Sequence, residues 1–529
     1  MAAPSADGHR VVVIGAGIGG LVAALRLALR GLAVTLVDAA PEPGGKMRAL
    51  EVGGTRIDAG PTVFTMRWVF DELLADAGLR LEDLATLQPL QRLARHAWRG
   101  HDQQLDLYAD RAQSQDAIAR FAGPAEARRF SAFCDEARRV YQRLEGPHIR
   151  SARPGFGQMV ADLGPAGLRE LAALGPLASL WRSLGRHFHD PRLRQLFGRY
   201  ATYCGASPWQ APATLMLIAH VELEGVWSLD GGIGGFAQAM AALAQQRGVK
   251  LRLGTRADRI ELAHGRVAAV HLAGGERLAA DSVVFNGDVN ALALGLLGDA
   301  LKPAVAAPVR RHERSLSALT WLAHVPASGF PLLRHSVFFD DDYASEFDDV
   351  FVQRRLPRRG TVYVCAQDRP GHDAPAPAGR ERLLLLVNAP ADGDTQTFDA
   401  TETEPCLQRS LGLLRQCGLN LDLSEPRQVL QRSPRDFETL FPGSGGGLYG
   451  TASHGWMAVF RRSAAASAIP GLYLAGGSVH PGPGLPMAAM SGRLAAATLL
   501  AHLDSTSRSR RVRISGGTST RSATTAATP

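Results

Sequence analysis

The chain has 529 residues, of which 46% are hydrophobic and 20% charged, a balance typical of a globular protein with a large core. This length exceeds one ordinary domain and suits two closely packed ones. The formal net charge is +8, but five arginines in the segment after Asp504 account for most of it, and no basic stripe with interleaved aromatic residues argues for a nucleic-acid partner.

Residue patterns argue against two further classes. The five cysteines show no CxxC pair and no metal-ligand spacing, so we predict no metal site. The run Asp340-Asp341-Asp342 resembles a metal motif but has no partner ligands nearby, and we interpret it as a solvated turn. No run approaches the ~20 apolar residues that span a bilayer, so we do not expect an integral membrane protein.

The first predicted elements are a strand, a glycine-rich loop, a helix, a second strand and an acid. Val11–Ile14 is a continuous β-branched run, typical of a central parallel strand buried on both faces. In the loop that follows, Gly15 allows the tight turn, Gly17 lets the backbone approach a pyrophosphate and Gly20 lets the helix pack on the strand. Asp38 lies 18 residues past Gly20 and is expected to bind a ribose hydroxyl, which disfavours NADP.

Segments at both ends of the chain favour FAD over NAD. Pro43–Lys46 (PGGK) follows the acid at once, as a second glycine pair does in flavoproteins of the glutathione-reductase type, and Asp58–Thr62 comes soon after. Near the C-terminus, a predicted strand at Leu472–Ala475 leads through a glycine-rich loop into a helix, whose N-terminus would face the flavin ring. The predicted cofactor-binding residues are Gly15, Gly17, Gly19, Gly20, Asp38, Gly44, Gly45, Lys46, Gly60, Pro61, Thr62, Gly476, Gly477, Pro486 and Met487.

The predicted fold class is α/β, with a Rossmann-like FAD-binding domain of the glutathione-reductase/amine-oxidase type and an inserted mixed α+β substrate domain. We assign residues 10–75, 226–300 and 440–503 to the discontinuous FAD-binding domain, and 76–225 and 301–439 to the substrate or membrane-facing domain. Residues 66–225 have a helical period, whereas 249–286 and 310–390 indicate strands. Residues 504–529 are rich in Ser, Thr and Arg and are predicted to be disordered.

Several strings together resemble the bacterial carotenoid desaturases of the phytoene desaturase type. These are VVVIGAGIGGLVAALRLALRG, DAGPT and GLYLAGGSVHPGPGLPM, and the resemblance covers almost all of residues 10–503. LFGRYATYCGASP, EGVWSLDGGIGGF and FNGD look like the hydroxycarotenoid branch of that family. One departure is Ser478-Val479, where the family often has Thr.

The resemblance implies an FAD-dependent enzyme that introduces the C-3,4 double bond into 1-hydroxyneurosporene and related 1-hydroxy or 1-methoxy carotenoids. The pathway would lead to spheroidene or spirilloxanthin in a purple photosynthetic bacterium, with oxygen or a quinone as the final electron acceptor. Hydride transfer to flavin N5 leaves an allylic cation that spreads into the polyene, so no catalytic side chain is obligatory and none is predicted.

Candidate substrate residues each keep two interpretations. Tyr200 and Tyr203 line a polyene tunnel or sense the hydroxyl end, or else are core aromatics, and Trp227 contacts the polyene or packs in the core. His220, Glu222 and Glu224 are candidates for proton transfer. For Glu222 and Glu224, on a presumed strand, we favour solvated or ion-paired side chains.

A long hydrocarbon substrate has to reach the enzyme from the bilayer. Residues 166–184 place leucines at helical spacing beside arginines, which suits either an interfacial helix or core packing. We therefore expect peripheral association with the cytoplasmic side of the inner or photosynthetic membrane. The alternatives are a phytoene or neurosporene desaturase, a flavin amine oxidase, and a non-enzymatic isoprenoid carrier on the same scaffold.

Overall fold

The computed structural model describes residues 8–152, 164, 178–372 and 375–514. Its strands are β1 Arg10–Ile14, β2 Ala33–Val37, β3 Ala49–Val52, β4 Thr55–Asp58, β5 Leu87–Pro89, β6 Arg92–Trp98, β7 Leu105–Tyr108, β8 Trp227–Leu229, β9 Lys250–Arg252, β10 Ala257–Ala263, β11 Arg266–Leu272, β12 Arg277–Ala279, β13 Ser282–Phe285, β14 Ser317–Val325, β15 Ala327–Ser328, β16 His335–Phe339, β17 Val362–Ala366, β18 Glu381–Ala389, β19 Asn420–Leu421, β20 Val429–Arg432 and β21 Leu472–Leu474. Its α-helices are α1 Ile18–Ala28, α2 Arg67–Ala75, α3 Arg111–Ala122, α4 Pro124–Leu144, α5 Leu180–His187, α6 Pro191–Gly198, α7 Leu217–Leu223, α8 Gly232–Gln246, α9 Val289–Ala293, α10 Tyr343–Phe347, α11 Ala400–Gln416, α12 Pro434–Leu440 and α13 Leu485–Ile514.

A five-stranded parallel sheet brings the two ends of the chain together. Its strand order is β21-β13-β1-β2-β9, with Val12 of the central strand beside Thr35 on one side and Val283 on the other. Residues 11–14 are buried, because α1, α8 and α13 cover the sheet on one side and a second apolar cluster covers it on the other. All five strands run the same way, so their carboxyl ends share one edge, where ligands of such sheets bind.

A seven-stranded mixed sheet forms the second layer. Its order is β20-β14-β18-β17-β16-β6-β7, and only the β6–β16 pair in it is parallel. Alternate residues of each strand serve opposite faces. Leu385 belongs to the apolar cluster that includes α11, whereas its neighbour Leu384 belongs to the cluster formed with α3 to α6.

The predicted α/β fold, a Rossmann-like sheet with an inserted mixed α+β region, is confirmed. The parallel sheet draws its strands from segments 10–75, 226–300 and 440–503, and the seven-stranded sheet draws its strands from 76–225 and 301–439. These observations support our division into domains, which stays a prediction. Across the described ranges, no helix is long and apolar enough to cross a membrane.

One predicted region differs in detail. The stretch 66–225 was expected to be helical, but β5, β6 and β7 interrupt it. The reason is long-range pairing, because β6 lies beside β16, where Ser336 pairs with Arg95. The last helix continues past residue 504 to Ile514, and residues 515–529 of the predicted tail lie outside the described residues.

Candidate functional site

A cavity of about 1790 Å³ lies between the carboxyl edge of the parallel sheet and one face of the seven-stranded sheet. Helices above that face close it, with lining residues such as Leu196 and Ile218. A single small-ligand site typically measures roughly 300–1,000 Å³. The cavity therefore has room for a dinucleotide together with a second, long molecule.

The β1–α1 loop borders one end of this cavity. Gly15 has a φ of +103°, which glycine adopts without strain, and it lines the cavity together with Gly17 and Gly19. Gly20 instead packs against the loop, where an added Cβ would lie 2.0 Å from the carbonyl oxygen of Gly15. Helix α1 has no side-chain cap, so its first N–H groups are free to bind an anion. This cradle fits a pyrophosphate.

Asp38 follows β2 at the same sheet edge and also lines the cavity. Its two carboxylate oxygens accept hydrogen bonds from the N–H groups of Ala16 at 2.6 Å and Ala40 at 2.7 Å. These bonds hold the carboxylate against the loop. Its remaining lone pairs are available to a ribose hydroxyl.

The second glycine pair closes over the same loop. The N–H of Gly44 donates to the carbonyl of Ala16 at 2.8 Å, and Gly45 and Lys46 line the cavity beside it. The Lys46 ammonium donates to the carbonyl of Leu448 at 2.5 Å, and burial lowers the pKa of this lysine.

The strand β4 leads into the next lining segment, which consists of Gly60, Pro61 and Thr62. A Cβ at Gly60 would lie 1.8 Å from the carbonyl oxygen of Lys46, so only glycine fits there. The Thr62 hydroxyl lies 2.7 Å from that of Tyr363. This contact links the predicted cofactor segment to the seven-stranded sheet.

The C-terminal segment completes this end of the cavity. Gly476 and Gly477 follow β21, and Pro486 and Met487 form the first turn of α13, with all four lining the cavity. The N–H of Gly476 donates to Ser491 at 3.2 Å. The N-termini of α1 and α13 thus border the same cavity.

Three polar residues of this end were not predicted as ligands. Asn286 directly follows β13, and its amide donates to the carbonyl of Gly15 at 3.1 Å. Asp288 is half-buried near Lys46, and loss of solvent raises the pKa of its carboxyl. Arg462 donates to the carbonyls of Tyr449 and Gly477, both at 3.2 Å. Asn286 could have been predicted at the site because it directly follows a parallel strand. Arg462 could not, because only tertiary packing brings it there.

The other end of the cavity is lined mainly by apolar side chains, and a polar cluster that includes Tyr200, Tyr203 and Glu222 lies among them. Tyr200 and Tyr203 both line it, on a 3₁₀ turn at Arg199–Cys204, and their rings meet edge to face at 5.5 Å between centroids. The Tyr200 hydroxyl donates to Glu222 at 2.6 Å. Burial raises the pKa of Glu222, which also lines the cavity.

The expectation for Glu222 was therefore wrong in two respects. It lies on helix α7 rather than a strand, and its carboxyl is enclosed at the cavity instead of being solvated. Glu224 is the exposed acid, and its carboxylate lies 3.1 Å from the ring of His220. The contact between Glu222 and Tyr200 joins two separate elements, so sequence spacing carried no signal for it.

Other candidate residues lie elsewhere. Trp227 is not among the cavity-lining residues, and its backbone N–H donates to the carbonyl of Phe64 at 2.9 Å. Asp340, Asp341 and Asp342 serve different partners: Arg99, Arg359 and the N-terminus of α10, respectively. Residues 166–177 of the predicted interfacial segment 166–184 lie outside the described residues.

Comparisons with known proteins agree with this architecture. A sequence model described as flavin containing amine oxidoreductase matches residues 18–500. The chain is 65% identical to hydroxyneurosporene desaturase of Rubrivivax gelatinosus, over 98% of both chains. It is 44% identical to hydroxyneurosporene desaturase of Cereibacter sphaeroides, over 94% of this chain and 99% of that one. The solved cyclohexylamine oxidase from Brevibacterium oxydans shares the fold, with a TM-score of 0.55, 16% identity and coverage of 94% of this chain and 99% of its own.

Proposed function

Because the chain belongs to the flavin-containing amine oxidoreductase family and, within it, to the carotenoid desaturases, we propose a specific reaction for it. The enzyme introduces the C-3,4 double bond into 1-hydroxyneurosporene and related 1-hydroxy or 1-methoxy carotenoids. It is an FAD-dependent oxidoreductase that acts on CH–CH bonds. The proposed pathway is spheroidene or spirilloxanthin biosynthesis in a photosynthetic bacterium.

The shape of the cavity supports this proposal most strongly. One continuous space of about 1790 Å³ runs from the two helix N-termini to an apolar wall on the seven-stranded sheet. That wall includes Val337, Leu384 and Leu386, and it faces Leu215 and Ile218 from the helical layer. Such a space suits a long hydrocarbon held against a dinucleotide far better than a small amine.

The glycine loops and helix ends carry the proposed FAD site. Gly15, Gly17 and Gly19 would hold the pyrophosphate at the start of α1, with Asp38 on a ribose hydroxyl. The remaining segments would border the rest of the cofactor, namely Gly44, Gly45, Lys46, Gly60, Pro61, Thr62, Gly476, Gly477, Pro486 and Met487. When bound, FAD supplies the hydride acceptor at flavin N5.

The protein's own contribution to the reaction is then positioning. The apolar wall and helical layer hold the polyene and exclude water, so that the electron-poor carbon formed during the reaction meets no competing nucleophile. Val337, Leu384 and Leu386 of this wall carry no acid or base, and the rings of His96 and His335, which also line the cavity, already have partners in the carbonyl of Leu105 and the Tyr363 hydroxyl. Alignment of the reacting C–H bond is therefore the main catalytic task.

Substrate delivery and electron removal complete the proposal. Because the carotenoid is insoluble in water, the enzyme would take it from a bilayer, as a peripheral protein on the cytoplasmic side of the inner or photosynthetic membrane. Quinone or oxygen would reoxidise the cofactor.

Product analysis tests the proposed reaction. Purified FAD-loaded enzyme is supplied separately with phytoene, neurosporene and 1-hydroxyneurosporene in vesicles. We expect loss of two hydrogens from the 1-hydroxy compound alone, with the new double bond at C-3,4. Conversion of phytoene, or failure to convert the 1-hydroxy compound in protein that retains flavin, would overturn the assignment.

A further inference from the structure

A partly buried polar cluster interrupts the mainly apolar part of the cavity. Glu222 accepts a hydrogen bond from Tyr200 at 2.6 Å, and the ring of Tyr203 lies 5.5 Å from that of Tyr200. Arg199 donates to the Tyr203 hydroxyl at 3.4 Å. All four side chains line the cavity, so they face its interior rather than bulk water.

This cluster is costly without a ligand. Arg199 is enclosed at the cavity and forms no ion pair within 4.0 Å in the described part of the chain, although the buried Glu346 attracts it from farther away. Its guanidinium lies 5.7 Å from the centre of the Tyr203 ring and 5.2 Å from that of Tyr363. Glu222 is likewise enclosed, and burial raises the pKa of its carboxyl. A polar group that loses its hydration in an apolar space destabilises the protein unless hydrogen bonds replace the lost water. The cost is typically about 1–3 kcal/mol for a neutral group and larger for a charged one. Groups left with spare hydrogen-bonding capacity here are suited to receive a polar end of the substrate.

The position of the cluster fits the chemistry of the proposed reaction. The Arg199 guanidinium lies 5.2 Å from the centre of the Tyr363 ring, and the Tyr363 hydroxyl contacts Thr62 of the cofactor segment at 2.7 Å. In a 1-hydroxy carotenoid, only three or four bonds of about 1.5 Å separate the oxygen from the carbons at C-3 and C-4. The site for that oxygen therefore has to adjoin the flavin, and Tyr363 connects this cluster to the proposed flavin segment at Thr62.

We propose that Glu222, Tyr203 and Arg199, braced by Tyr200, form the subsite that binds the C-1 oxygen of the substrate and so sets which bond is desaturated. Arg199 and Tyr203 donate to the oxygen, and Glu222 accepts from the hydrogen of a 1-hydroxy substrate, which a 1-methoxy substrate lacks. These are specificity-determining residues, because they hold the end of the polyene and thereby align C-3 and C-4. This assignment rests on the proposed function.

The test compares two substrates that differ only at this end. FAD-loaded wild type and variants are given 1-hydroxyneurosporene and neurosporene separately in vesicles, and the ratio of the two kcat/KM values is measured. Because a missing partner leaves buried polar groups unpaired, we expect Glu222→Leu to lower the preference for the hydroxylated substrate roughly ten- to a hundredfold. Glu222→Gln should retain most of the preference, because the amide keeps a donor and an acceptor.

Controls separate this role from simple damage to the fold. Glu224→Leu changes the exposed acid two residues further along and should leave the ratio unchanged. If Glu222→Leu does not fold, Tyr203→Phe removes one hydroxyl only and should still reduce the ratio several-fold. Partition of the two carotenoids from vesicles onto the protein should show the same loss of preference without turnover.

The outcomes are distinguishable. If the wild-type enzyme fails to convert 1-hydroxyneurosporene, the proposed function is wrong. If wild type prefers it and the folded Glu222→Leu and Tyr203→Phe variants keep that preference, the proposed function stands and the oxygen subsite is wrong.

Discussion

At the scale of single residues, the glycines of the β1–α1 loop leave room for the cofactor because they have no side chains. A Cβ at Gly17 would lie 3.0 Å from the Asn286 amide, and any larger side chain would project into the cavity. Overpacking of this kind costs about 1–3 kcal/mol. We therefore expect Gly17→Val to weaken FAD binding roughly ten- to a hundredfold, measured as the flavin absorbance retained by the purified, desalted protein.

Gly235→Val is the matched control for that experiment. Gly235 is an exposed glycine near the start of α8, and an added Cβ there meets nothing within 4 Å. This variant should keep its flavin. Full flavin retention by folded Gly17→Val would show that the loop does not hold the cofactor.

The cofactor end and the substrate end differ in how well single residues could be predicted. Gly15 and Asp38 stand at fixed offsets from strands, so local spacing was enough to bring them to one sheet edge. Glu222 and Tyr200 meet only because α7 packs against a 3₁₀ turn, and their own neighbours gave no sign of it. Neighbouring residues in the sequence predict local backbone geometry, whereas they do not predict which helices and turns come into contact in the folded protein.

At the scale of elements, the close approach of α1 and α13 depends on Gly492. A Cβ at this position would lie 2.0 Å from the carbonyl oxygen of Gly19, which is backbone and cannot move aside alone. Gly492→Ala should therefore separate the helix ends that border the cavity and destabilise the protein by about 1–3 kcal/mol. The urea unfolding midpoint of the flavin-free protein measures this effect.

Gly412→Ala provides the comparison within another helix. Gly412 lies inside α11, and an added Cβ meets nothing within 4 Å. The same substitution there should stabilise the protein by about 0.5–1 kcal/mol, because alanine loses less backbone entropy on folding. Equal effects at both sites would contradict the close-contact argument.

At the scale of the whole molecule, the parallel sheet was predictable, whereas for the seven-stranded sheet the sequence indicated strands at 310–390 but neither β6 and β7 nor the strand order. Strand, loop and helix alternate along the N-terminal unit, and this order alone predicts parallel neighbours. The larger sheet instead pairs β6 with β16, across a long stretch of intervening chain. Since β6 lies in a region with a helical period, neither its partner nor its direction could be read locally.

The buried histidines should make the stability of the whole fold depend on pH. Burial lowers the pKa of His96 to about 4, of His335 to about 3 and of His480 to about 4, from an ordinary value near 6.5. Below about pH 6.5, the unfolded chain takes up these protons and the folded chain does not. Stability therefore falls as the pH falls, by about 3 kcal/mol for the three rings together between pH 6.5 and 5.5.

Urea unfolding midpoints between about pH 7 and pH 5 measure this dependence. His480→Gln removes one of the three groups while keeping a donor for the carbonyl of Ser151, which the ring reaches at 2.9 Å. Its pH dependence should be shallower by about 1 kcal/mol over the same interval, whatever its stability at neutral pH. His312→Gln, at an exposed position, should keep the wild-type slope. A wild-type midpoint that stays constant down to pH 5 would mean that these rings are not enclosed in the folded protein.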